Sequence, residues 1–324
     1  MNRQPRALVY AAGLACALAV TACTAAGGPG QSASAAAPGV DGAAGRPVIV
    51  VGSFNFPESV TLAYLYSDAL AGRGYPVRVL PDLGPRELVD PALMAGLIQL
   101  VPVYTGSALE FVSLGRVPAT ANVVATAAAL ATAMTGRGLV VGRPATAQDG
   151  NAIVVTAAIA ARYRLRTISS LAAVANRLAF GGPPECPERA YCLPGLRLTY
   201  GLRFRQFVAL DADGPLTKQA LTAGDIGVAL LFTTDPAIAA QHLVVLADNL
   251  GLQPAENVVP VLRQATADRY GPGLLTALDA VSARLTTAAL AEMDAEVELG
   301  NLDPRAVARQ WLRAAGLARK WAAP

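Results

Sequence analysis

Side chains able to do chemistry are sparse in this chain. Four cysteines and one histidine stand among 324 residues. His242 precedes an apolar run with no serine or cysteine nucleophile signature beside it, and no G-x-S-x-G or P-loop motif occurs. Asp149 and Glu256 could exchange protons, but nothing near them selects that chemistry, so the chain is read as a non-enzyme that uses no cofactor. Cys186 and Cys192 lie in the loop-like stretch Gly181-Gly-Pro-Pro-Glu-Cys-Pro-Glu-Arg-Ala-Tyr-Cys192. Two thiols and one distant imidazole do not fill a tetrahedral zinc shell, and no metal is expected. An even cysteine pair in an oxidising compartment is expected to close as a disulfide. So small a ring contributes roughly 2 kcal/mol and shapes a loop more than it holds a fold.

The amino terminus supplies the oxidising compartment. Arg3 and Arg6 precede an apolar segment from Ala7 to Val20. That segment is shorter than the about 20 residues a membrane span needs, so residues 1–22 read as a secretion signal. It ends Val20-Thr21-Ala22-Cys23, similar to a bacterial lipobox in which Cys23 becomes the acylated first residue of the mature chain. In the plainer reading the signal is an ordinary one and Cys23 is incidental. Two lipid chains on Cys23 would anchor the protein on the outer face of the cytoplasmic membrane, facing the periplasm or the cell exterior. Residues 23–46, rich in Ala, Gly, Ser and Pro, read as a flexible tether. No later run of about 18 apolar residues follows, so the lipid is the only expected membrane contact. Loss of Arg3 and Arg6 lowers the formal charge from +3 to +1. That balance, with no Lys/Arg run, excludes nucleic acid as a partner.

Hydrophobic content of 53% against 15% charged residues describes a chain that builds a sizeable core. The apolar run Val48-Ile-Val-Val-Gly52 reads as a buried strand. Asn55 and Glu58, three apart with Pro57 between them, fit a capping box for a helix ending at Gly72. Val77–Leu80 reads as a strand, Glu87–Ala95 as a helix and Gln99–Tyr104 as a strand, giving β-α-β-α-β and a parallel sheet covered by helices. Further along, residues 123–135 read as helix, and 139–142, 152–156, 177–181 and 207–210 as strands. Helix 216–223 and strands 226–231, 243–246 and 258–262 follow. Beyond these the pattern is helical only, over 273–285, 287–299 and 303–315.

Several segments then resemble one family in the right order: the substrate-binding proteins of osmoprotectant ABC transporters, which take glycine betaine, choline, carnitine and related solutes. They are Val51-Gly-Ser-Phe-Asn-Phe-Pro-Glu58, Leu100-Val-Pro-Val-Tyr-Thr-Gly-Ser107, Gly181–Arg189, Leu193-Pro-Gly-Leu196, Phe232-Thr-Thr-Asp235, Leu285–Met293 and Ala308-Arg-Gln-Trp-Leu312. The resemblance spans nearly all of residues 48–317. It implies an α/β, two-lobed fold of the type II periplasmic-binding-protein kind, with two hinge crossings and a ligand cleft between the lobes. Lobe one would be residues 48–150 plus 258–324, and lobe two residues 151–257.

The resemblance also implies a box of aromatic rings for a quaternary ammonium group, which rings attract by roughly 0.5–2 kcal/mol each. Its first position matches Tyr104, with Ser107 where the family usually has Thr. The other positions fall on Asn151, Phe232 and Glu256, and the carboxylate-binding arginine matches Arg189. Thr233 follows Phe232, Asp149 lies close to the crossing, and Ser53 and Asn55 are expected to cap a helix and line the cleft. Two rings instead of four, with Asp149 and Glu256 nearby, suit either a cation or, equally, a solute with hydroxyls or amines. In both cases the expectation is a small polar solute with an acidic or hydroxyl-bearing end near Arg189. Each residue has a plainer reading as well: Tyr104 and Phe232 as packing residues, Arg189 as a solvated loop side chain, Asp149 and Asn151 as ordinary loop polars. Delivery of the solute to the permease subunits of an ABC importer is the function implied. Sensing or adhesion by the same kind of lipoprotein is the alternative.

Overall fold

The computed structural model describes residues 45–318. The chain runs β1 (Ile49–Gly52), α1 (Pro57–Ala71), β2 (Val77–Leu80), α2 (Arg86–Ala95), β3 (Leu100–Tyr104), α3 (Thr105–Ser113), α4 (Val123–Thr135), β4 (Leu139–Val141) and β5 (Asn151–Thr156). It continues through α5 (Ala157–Tyr163), β6 (Ala179–Gly182), α6 (Leu193–Tyr200), β7 (Gln206–Ala209), α7 (Pro215–Ala223), β8 (Val228–Phe232), α8 (Ala237–Ala240) and β9 (Leu243–Val245). The return strand β10 (Val258–Arg263) leads into α9 (Gln264–Tyr270), α10 (Pro272–Ser282), α11 (Thr287–Glu298) and α12 (Pro304–Ala314). Residues 1–22, Cys23 and most of the expected tether lie outside the described residues.

These strands form two sheets, β2-β1-β3-β10-β4 and β7-β6-β8-β5-β9. The described residues pack as one unit, yet each sheet has its own apolar core: Tyr66, Leu100 and Leu109 belong to the first, Phe180, Leu196 and Val228 to the second. The parallel pairing expected of the first three strands is present. β1 is parallel to β2 and β3, but β10 runs antiparallel to both β3 and β4, and β5 antiparallel to β8 and β9. The reversal is a consequence of connectivity: β5 and β10 are the strands by which the chain enters and leaves the second sheet. Each must therefore point against its neighbours.

The expected capping box does not form. The cap of α1 is Phe56, whose side chain makes no capping bond, and Asn55 is exposed. Glu58 instead turns inward, because Tyr104 and Thr234 offer it hydroxyl donors that water would otherwise supply. Five helices appear where the sequence reading places none: α3, α5, α6, α8 and α9. α6 starts with Leu193-Pro-Gly, where proline in a first helical turn loses no hydrogen bond.

The terminal helix is fixed by charge. Asp68 on α1 is fully buried and receives Arg305 Nη2 at 2.9 Å and Arg309 Nε at 2.7 Å from α12. Those arginines are 45% and 38% exposed, so they can rehydrate when the carboxylate is removed. Asp68→Ala is expected to destabilise the fold by about 2 kcal/mol, through lost charged hydrogen bonds more than stranded cations. A urea melt showing an unchanged midpoint would mean that α12 docks by apolar contacts alone.

Candidate functional site

The chain passes between the sheets twice, at residues 147–150 and 255–257, and the two passages bond to each other. Gln148 and Asn257 form an antiparallel bridge, Asp149 N donates to Glu256 O at 3.1 Å, and Val258 N donates to Ala147 O at 3.0 Å. This pairing sets the acidic side chains of Asp149 and Glu256 on neighbouring strands.

Beside them opens a cavity of about 970 Å³, counting its mouth. First-sheet elements bring Phe54, Phe56, Arg86, Glu87, Tyr104 and Ser107 to its wall; the second sheet brings Asn151, Arg189, Tyr191 and Phe232. The rings form a connected wall. Phe56 lies 5.0 Å from Phe232 in an edge arrangement and 6.0 Å from both Tyr104 and Phe54, centroid to centroid. Phe56 therefore joins the two rings that the sequence singled out. Tyr191 and Phe111 add further aromatic surface.

Glu256 stands at the amino-terminal end of α3. Its carboxylate accepts from Gly106 N and Ser107 N, each at 2.9 Å, and from the Ser107 hydroxyl. Two of the helix's otherwise unpaired N–H groups and its positive dipole end are thus satisfied by a residue 150 positions away. This explains how Tyr-Thr-Gly-Ser, a weak helix-forming string, opens a helix. Gly106 has no room for a side chain: a Cβ would lie 2.5 Å from Pro254 Cγ and 2.8 Å from Ala255 O. Burial outweighs these bonds and pushes the Glu256 pKa up to about 7. Asp149 accepts from the Thr233 hydroxyl and Thr234 N, both at 3.0 Å, and burial pushes it up to about 6.

Below the rings, Glu58 accepts from the Tyr104 hydroxyl and from Thr234 Oγ1 at 2.8 Å. Burial, followed by the charges of Asp149 and Asp294, holds its pKa well above the usual carboxylate range. The ring of Tyr104 is thereby fixed from behind.

Of the residues expected from sequence, Tyr104, Ser107, Asp149, Asn151, Arg189, Phe232, Glu256 and Asn55 all border this cavity. Ser53 does not. Fully buried, it donates to Phe54 O and accepts from Asp82 N, pinning the loop after β2 instead of capping α1. Thr233 also stays off the wall, because its hydroxyl is turned to Asp149. Asn151 borders the cavity with its amide donating to Tyr191 O and Gln253 Oε1. The expected disulfide Cys186–Cys192 is present, with Cα atoms 5.3 Å apart, and its ring carries Arg189 and Tyr191. Arg189 meets not open space but Glu87, at 3.0 Å. Phe54, Phe56, Arg86, Glu87, Glu110 and Tyr191 were not singled out by the sequence reading. Phe54, Phe56 and Tyr191 stand inside the motifs it quoted, and that position was the available signal.

Residues 47–314 match the family described as the substrate binding domain of ABC-type glycine betaine transport system. The chain belongs to this family. The glycine betaine-binding protein YehZ of Escherichia coli is 27% identical over 280 residues, 83% of this chain and 90% of the relative. The glycine-betaine-binding protein of Pseudomonas aeruginosa is 26% identical over 281 residues, 84% of this chain and 89% of its own. A solved glycine betaine/carnitine/choline ABC transporter structure superposes with a TM-score of 0.66, at 20% identity, over 83% of this chain and 99% of its own. That likeness gives the fold, the type II periplasmic-binding-protein architecture expected from the sequence. The OpuAC family is one of extracytoplasmic solute-binding proteins, a class of binders and not of enzymes.

The raised values of Asp149 and Glu256 make stability depend on pH. Each folded-state value lies above the ordinary 3.8 or 4.5, so their contribution is whole in acid and is lost as pH rises through about 6 and about 7. For Glu256 the rise from 4.5 to about 7 corresponds to on the order of 3 kcal/mol. The melting temperature is expected to fall between about pH 5 and about pH 8, and to fall less in Glu256→Gln. Identical slopes in the two proteins would remove Glu256 as the titrating group.

Proposed function

We propose that the protein captures a small polar solute with a cationic head outside the cytoplasm and delivers it to the permease subunits of an ABC importer. The observation that carries this reading is the Phe56–Tyr104–Phe232 wall beside Asp149 and Glu256, one cavity bordered by both sheets. Ring faces attract a cation that cannot donate hydrogen bonds, and nearby carboxylates add charge attraction. Two relatives named for binding glycine betaine support a ligand of that kind.

In this reading residues 48–150 with 258–324 act as one lobe and residues 151–257 as the other, turning about the paired passages at Gln148 and Asn257. Tyr104, Ser107, Asp149, Asn151, Phe232 and Glu256 form the solute site, with Thr233 holding Asp149 in place. Cys23 carries the lipid that keeps the protein at the outer face of the membrane. Uptake is favoured over sensing because residues 47–314 match a family described as a transport-system domain.

A thermal-shift screen of quaternary ammonium compounds, amines and polyols with the purified protein is expected to show stabilisation by an onium compound. Tyr104→Ala should weaken that ligand by about 2 kcal/mol or more, since it removes one ring of the wall and one of the two hydroxyl donors to Glu58. Retained affinity would place the solute elsewhere. For the anchor, Cys23→Ser should move the protein from the membrane fraction to the soluble one; an unchanged distribution would refute lipidation.

A further inference from the structure

We infer that the solute carries net positive charge and no carboxylate, because each anion receptor facing the cavity is already filled by one of the chain's own acids. This rests on the reading of the cavity as the solute site and narrows the class of ligand it takes. Three groups on the cavity wall could receive an anion: Arg189, Arg86 and the amino-terminal end of α3.

Arg189, the arginine expected to hold a ligand carboxylate, donates from Nη2 to Glu87 Oε2 at 3.0 Å and from Nε to Glu87 Oε1 at 3.4 Å, with Glu185 3.9 Å away. Its fork is turned to the opposite side of the cavity, where α2 supplies the acid. Arg86 donates to buried Asp90 at 3.2 Å and lies over the Phe54 ring, 4.8 Å from its centre. The N–H groups of Gly106 and Ser107, where α3 begins, point at Glu256. Each positive feature is matched within the protein.

Two acids on the wall are left over. Neither Glu110 nor Asp149 has an arginine or lysine within ion-pair distance among the described residues. The Arg189 and Glu87 side chains are 36% and 42% exposed, so breaking the pair is not the main obstacle to a zwitterion. Discrimination comes from bringing another carboxylate beside Glu110 and Asp149, a like-charge juxtaposition of the kind that rejects wrong ligands. A cation bearing only a hydroxyl meets the same rings and the same acids without that repulsion.

Choline and glycine betaine share a trimethylammonium head and differ in a hydroxyl against a carboxylate, so calorimetry of the purified protein with each, near neutral pH, isolates the question. Choline is expected to bind tighter by about tenfold or more. Glu87→Ala, which frees the Arg189 fork, should shift the choline-to-betaine ratio toward betaine by about tenfold, and Glu110→Gln should shift it the same way by removing an unmatched acid. Betaine binding as tightly as choline to the unaltered protein would overturn the inference and leave the solute-site reading standing. A ratio unmoved by both substitutions would overturn the assignment to these charges. Binding of neither compound would instead fail the solute-site reading beneath it.

Discussion

Everything at the site depends on the hydrogen-bonded pairing of the two chain passages between the sheets. A single connection would leave the sheets free to twist about it. Two antiparallel segments joined at Gln148 and Asn257 restrict that freedom and also fix which side chains stand together. Asp149 leaves the first passage and Glu256 arrives on the second, and the main-chain bond between them sets their spacing. Because β10 emerges from the second passage and pairs along the whole of β3, the end of β3 with Tyr104 is brought to the same place. One backbone arrangement thus assembles an acid, a second acid and a ring from positions 104, 149 and 256.

The electrostatics follow from where those acids are put. A carboxylate taken out of water must find donors, and the chain provides them in two ways. Glu256 takes the exposed N–H groups of α3, and Asp149 takes Thr233 and Thr234. Burial still outweighs the bonds at both, so the site holds its negative charge reluctantly near neutral pH. A cation entering between the rings relieves that penalty. The attraction proposed for such a cavity toward positive charge therefore owes something to its buried acids as well as to ring faces.

The sequence was legible where one element reports its own environment. Continuous apolar runs marked β1, β3 and β10, helical periodicity marked the terminal helices, and the cysteine count foretold the Cys186–Cys192 bond. It was illegible where the deciding partner lies far along the chain. α3 begins at a string of weak helix formers because Glu256 binds its N–H groups, and nothing near Thr105 announces that. Asn55 and Glu58 have capping-box spacing, but Tyr104 and Thr234 draw Glu58 inward. Strand direction was legible for β1, β2 and β3, but β-α-β-α-β says nothing of a strand returning from the other sheet. At the site, the family resemblance pointed to Tyr104, Phe232 and Glu256; Phe56 needed the fold, because only packing shows it touching both rings.

The stretch Phe232–Asp235 shows how tightly ring wall and crossings are joined. Phe232 turns its ring to Phe56 and gives its N–H to Asp213. Thr233 holds Asp149 on the first passage, and Thr234 reaches Glu58, the residue behind Tyr104. Asp235 pairs with Lys218 at 3.0 Å, and the same ammonium meets Glu298 on α11, beside the first sheet. Four consecutive residues at the end of β8 therefore touch the cavity, the passage, the support of Tyr104 and, through Lys218, a helix of the other half. Any turning of the second sheet against the first must break Thr234–Glu58 and Lys218–Glu298 together, because both donors stand on the second-sheet side and both acceptors on the first. The ring contact between Phe56 and Phe232 breaks in the same motion. In the proposed reading, a solute seated against those two rings would be held by the contacts that keep the halves together, which is the coupling a capture-and-release protein requires.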